Sequence, residues 1–172
     1  MSTLFVNGAV TEDQWVSVDG EQPVPEGEDV IVSLAVFEEQ PHALLTRNAG
    51  RLGAYLEADD QIDAIADHLE LISLVALDFP SFADGRAFSK ARLLRDRYGF
   101  ADQIRATGDV RIDQISHMRR SGFDAFLVSH QPTIDSLTEI KDSGLDLFYQ
   151  PAIEGAEARP ALAGKSWARR AL

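Results

Sequence analysis

The sequence predicts an α/β fold on a mainly parallel sheet, open or shaped as an incomplete (β/α) barrel, with a short β preface at the amino end. Three observations carry that expectation. Apolar, β-branched runs begin near residues 30, 52, 72, 103, 123 and 145, at intervals of 22, 20, 31, 20 and 22 residues. Each interval holds one segment with helical apolar spacing, and strands alternating with helices at this pitch form parallel pairs joined by crossovers. Six such units fall short of the eight that close a barrel.

In chain order, Leu4–Val6 and Trp15–Val18 read as two short strands, with turn signals at Asn7-Gly8 and Asp19-Gly20. Residues 21–29 form an acidic connector whose prolines and glycine exclude a helix or strand interior. The preface and connector therefore span 1–28, a single α/β domain spans 29–159, and 160–172 is a tail. Val30–Val36 is a nearly continuous apolar strand, and Pro41 opens a short helix through Thr46. After a strand at 52–56, Asp59-Asp60 caps a helix over 61–69, with apolar residues at 62, 65, 66 and 69. A strand over 72–77 leads through Asp84-Gly85 into a helix over 87–98 that Gly99 stops. A strand over 103–107 precedes a helix over 110–121, with Gly122 as its stop. A strand over 123–128 precedes a helix over 134–142 capped by Thr133, and the last strand covers 145–149.

A chain of 172 residues buries a sizeable core without staples. With no cysteine it has no disulfide, thiolate zinc site or cysteine-ligated cluster. The amino end lacks a basic stretch followed by an apolar one, and no apolar run reaches membrane-spanning length, so a cytoplasmic protein is expected. A net charge of −12 argues against nucleic acid and anionic membrane as partners. Against that background, Asp84 to Arg120 carries nine basic residues and five acids, a local charge of +4. That island suits a small anion.

Carboxyl ends of parallel strands gather on one edge, where α/β sites are found. The topology would bring together Asp78, Asp84 and Arg86 after the 72–77 strand, Gly108, Asp109 and Arg111 after the next, and Ser129, His130 and Gln131 after the one following. The ligand-binding candidates are Asp84, Gly85, Arg86, Ser89, Arg92, Arg95, Arg105, Gly108, Asp109 and Asp113. Guanidinium forks and helix N-termini both suit oxyanions. The competing reading makes Asp84 and Asp109 turn formers paired with Arg86 and Arg111, and Ser89, Arg92 and Arg95 a solvated stripe. Asp109, Asp113 and His117 run along one helix face, but no second histidine stands at ligand spacing, so no metal is expected. There is no Gly-x-Gly-x-x-Gly or Gly-x-Ser-x-Gly, and Gly164-Lys165-Ser166 lacks the earlier glycine of a phosphate loop, since Arg159 stands there. No cofactor is evident.

The elements Asp84-Gly85-Arg86, Ser89, Arg92–Arg95, Arg105-Ala-Thr-Gly-Asp109 and Gly122-Phe-Asp-Ala-Phe126, in this order and spacing, resemble a bacterial domain-of-unknown-function family, number 934. The match runs over roughly residues 50 to 130. Members are labelled oxidoreductases of sulfite reduction, so the resemblance implies a place in assimilatory sulfur metabolism beside sulfite reductase. The family usually carries a cysteine where this chain has Ser121, which removes any thiol role. Two functions follow as expectations. One is an accessory protein that docks to sulfite reductase; the other is a small α/β enzyme or binding protein for an anionic metabolite, using the Asp-Gly-Arg loop. An incomplete barrel leaves sheet edges exposed, so a homo-oligomer is a further partner to test.

Overall fold

The computed structural model describes residues 2–20, 23–47 and 49–143. Its eight strands are β1 (Thr3–Val6), β2 (Ala9–Thr11), β3 (Val16–Val18), β4 (Val30–Ser33), β5 (Leu52–Leu56), β6 (Ile72–Phe79), β7 (Gln103–Gly108) and β8 (Ala125–Val128). They form one sheet in the order β2-β1-β8-β7-β6-β5-β4-β3. The six strands from β3 to β8 run parallel, each beside its predecessor, while β1 pairs antiparallel with both β2 and β8. The mainly parallel, barrel-like sheet of the sequence reading is therefore present. The preface strands are part of it and supply both of its edges.

Chain length dictates that this sheet curls. Eight strands laid flat at about 4.8 Å would separate the outer two by roughly 34 Å. Only Glu12–Trp15 joins β2 to β3, and the five steps from Thr11 to Val16 reach at most about 19 Å. The sheet bends into an open half-barrel, and this four-residue strap crosses its concave side.

The five α-helices of the described residues, α1 (Leu34–Glu39), α2 (Pro41–Leu45), α3 (Arg86–Asp96), α4 (Ile112–Ser121) and α5 (Gln131–Ser143), pack on the other side. Strand alternation sends Val30, Val32, Ala54, Leu56, Val75 and Leu77 to that face, where they join Phe37, Leu94, Ile115 and Met118 in the main core. Ile31, Leu74 and Ala76 point the opposite way and form a smaller cluster with Trp15 and Tyr55.

Several boundaries differ from the sequence expectation. The 30–36 run is strand only to Ser33, whose Oγ accepts the Val36 N–H (3.4 Å) and starts α1. The 61–69 segment is two 3-10 turns, Ile62–Ala64 and Ala66–Leu71, so strict strand–helix alternation breaks between β5 and β6. Ile62 and Ile65, both buried, stand three apart, and a three-residue turn aligns them as well as a helix does. Thr133 sits inside the first turn of α5, with its hydroxyl 2.9 Å from His130 Nδ1. The predicted strand at 145–149 lies outside the described residues.

Candidate functional site

Beyond the carboxyl end of β6 the chain turns through residues 80–85 before entering α3. Asp84 organises this turn: its carboxylate accepts the Arg86 backbone N–H (3.0 Å) and both Nε and Nη2 of the Arg86 side chain. Arg86 Nη1 donates to Asp59, on the loop after β5. Lys90 ties the same two loops together, donating to the Glu57 carbonyl (2.5 Å) and the Ala58 carbonyl (3.0 Å). The Arg86 hydrogen bonds hold the Asp84 carboxyl down at about 2, and those carboxylates raise Arg86 above its ordinary value. Burial pushes Lys90 down.

Beyond β7 the limiting feature is Gly108, at φ 83°. A Cβ there would lie 2.3 Å from the Phe79 carbonyl oxygen and 2.6 Å from Asp78 Oδ1, so any side chain would drive the ends of β6 and β7 apart. The close approach lets Asp109 N–H donate to the Phe79 carbonyl at 2.7 Å. One oxygen of Asp109 then pairs with Arg111, which holds its carboxyl below the usual range. The other accepts the Phe82 N–H (3.1 Å), while Gln114 Nε2 donates to the Phe82 carbonyl (3.0 Å). Both backbone groups of Phe82 are thus fixed by side chains from the next loop and helix. The residue itself is 51% exposed.

Below this edge, on the concave side, Asp78 has two hydroxyl neighbours, Thr107 and Tyr55. Thr107 Oγ1 donates to the Leu77 carbonyl (3.3 Å) and lies 3.5 Å from Asp78 Oδ1, and the Asp78 charge acts on the Tyr55 phenol. Burial, then the Asp78 charge, pushes the Tyr55 phenol up to about 12, so it remains a proton donor at neutral pH. Tyr55 and Thr107 escaped the sequence reading. The available signal was their parity, since both alternate away from the helix-facing core positions near the carboxyl ends of their strands.

The predicted residues divide into two groups. Asp84, Gly85 and Arg86 are joined to Gly108 and Asp109 through Phe82. Both anticipated ion pairs, Asp84–Arg86 and Asp109–Arg111, are present. Ser89 and Arg92 are exposed on α3, and Asp113 is exposed on the first turn of α4. His117 packs its ring against Phe88 at 4.4 Å. Arg95 faces away from the edge, donating to the carbonyls of Phe100 (2.5 Å), Asp102 (2.7 Å) and Gly122 (3.0 Å) and to Asp124 (2.8 Å). Arg105 projects from β7 into the concave side and pairs with Asp13 of the strap at 2.9 Å. Among the described residues no group of three or more His, Asp or Glu is placed to hold a metal ion. None of their helices is long and apolar enough to cross a membrane.

Compared with known proteins, residues 53–160 match the family model described as "Bacterial protein of unknown function (DUF934)". The match covers β5 to α5 and both edge loops. No curated protein matches the chain.

Proposed function

The chain belongs to a bacterial family of proteins of unknown function, and we propose that it acts as an accessory protein that docks to a partner through the carboxyl edge of its sheet. The doubly anchored, exposed Phe82 carries this reading. An aromatic residue presented to solvent on a held backbone loses less entropy on binding than one on a free loop, and interface hot spots are enriched in aromatics rimmed by charge. Asp84, Arg86, Asp109 and Arg111 supply such a rim.

The Asp-Gly-Arg loop supports docking better than anion capture. Its guanidinium already bridges Asp84 and Asp59, so a small anionic metabolite would have to displace a carboxylate to reach it. The resemblance to proteins labelled for sulfite reduction makes sulfite reductase the first partner to test. This reading assigns no bond-making step to the chain.

Titration of the full chain against sulfite reductase at low salt, with wild type and Phe82→Ala, provides the test. Loss of a hot-spot ring weakens binding by about thirtyfold or more, and an exposed side chain changes folding stability by no more than about 0.5 kcal/mol. Equal binding by the variant, or no complex with the wild type, counts against the reading.

A further inference from the structure

The concave side contains a second feature, independent of the docking surface. Arg105 is 2% exposed, and its guanidinium is a fork of five N–H donors with no acceptor. Of its five N–H donors, one meets Asp13 at 2.9 Å and another reaches Gln103 at 3.4 Å. Its Nε is buried and has no partner among the described residues. A buried N–H left unmade costs on the order of 1–3 kcal/mol, and more on a charged group. Asp13, its one carboxylate partner among the described residues, is itself 31% exposed and stands on the strap, which joins the sheet edges without belonging to a strand.

Arg105 lines a cavity of about 310 Å³ between the strap and the amino ends of β6 and β7. Arg51, Gln103 and Ser73, all of which carry donor groups, line the same space, together with Leu4 and Trp15. Arg51 is pre-positioned, bound to Asp29 through Nε and Nη2 and stacked 4.8 Å above the Trp15 ring. Glu12 adds one carboxylate to the lining. The volume sits at the small end of organic-ligand sites and exceeds what a bare inorganic anion fills.

We propose that this cavity binds a small organic oxyanion, its head taking the unused donors of Arg105 and displacing Asp13, and its apolar body resting on Leu4 and Trp15. In this arrangement Asp13 is a resident counter-ion that competes with the ligand.

Isothermal titration of the full chain with phenyl phosphate, benzoate and neutral benzyl alcohol tests the assignment. At least one anionic probe binds the wild type and benzyl alcohol does not. Arg105→Lys, which keeps the charge and loses the fork, weakens the bound probe tenfold or more. Asp13→Asn removes the competitor and tightens it about fivefold. Should Arg105→Lys fail to fold, Asp13→Asn decides alone. The proposal is overturned if neither anion binds, if benzyl alcohol binds equally, or if Asp13→Asn leaves the affinity unchanged or weaker.

Discussion

Arg95 and Arg105 are cations on opposite sides of one sheet, the first with its side chain 10% exposed and the second 2%, and they differ in what surrounds them. Arg95 leaves α3 and finds three carbonyls and a carboxylate, all within 3.0 Å. Asp124 is in turn secured by the Ile104 N–H at 3.0 Å. Gly122 makes room for the arm, since a Cβ there would lie 2.6 Å from Arg95 Cγ. Arg105 has one partly exposed carboxylate, a long contact to Gln103 and an unmet N–H. Burial alone therefore does not separate a structural arginine from a binding one. The number of good acceptors does.

Paired substitutions break the comparison most directly. Arg95→Ala leaves Asp124 without its cation and three carbonyls without a donor, an expected loss of about 3 kcal/mol in chemical denaturation. Arg105→Met keeps the bulk and removes a poorly satisfied charge, so its expected change is within about 1 kcal/mol, of either sign. Equal losses in the two variants would make Arg105 a second staple. Gly108→Ala comes next. Its backbone conformation alone costs about 1–3 kcal/mol, before the contact with the Phe79 carbonyl is relieved. Nuclear magnetic resonance should place the disturbance at residues 79–82 and 109, leaving the concave cavity undisturbed. The smallest effect concerns His117, whose imidazole is pushed down by partial burial and by the Arg120 and Arg92 charges. Because the folded form resists protonation, the unfolded chain takes its proton first as pH falls below about 6.5. Stability should then decline slightly toward pH 5, and His117→Gln should flatten that slope.

Much of the site was legible because its chemistry is local. Asp84 with Arg86 and Asp109 with Arg111 are two residues apart, and short polar side chains at such spacing bond their own turns. Gly108 was visible as a turn residue, although the reason for it, a close approach to Phe79 from another strand, is tertiary. Arg95 and Arg105 were grouped with the loop cations for their charge. Two of the Arg95 partners, Gly122 and Asp124, lie 27 and 29 residues away, and the carboxylate that pairs with Arg105, Asp13, lies 92 residues away.

By itself the sequence determined the approximate positions of seven of the eight described strands, β2 excepted, and the parallel majority of the sheet, and it offered the two ion-paired loops at the carboxyl edge as one of two readings. Those features follow from apolar periodicity and from contacts a few residues apart. Tertiary structure alone decided that β1 closes antiparallel on β8, that residues 62–71 turn three residues at a time, and that the strap places Asp13 on Arg105. The physical reason is the same in each case. Where long-range packing supplies the partner, the local pattern fits more than one outcome, and only the closed geometry of the curled sheet selects between them.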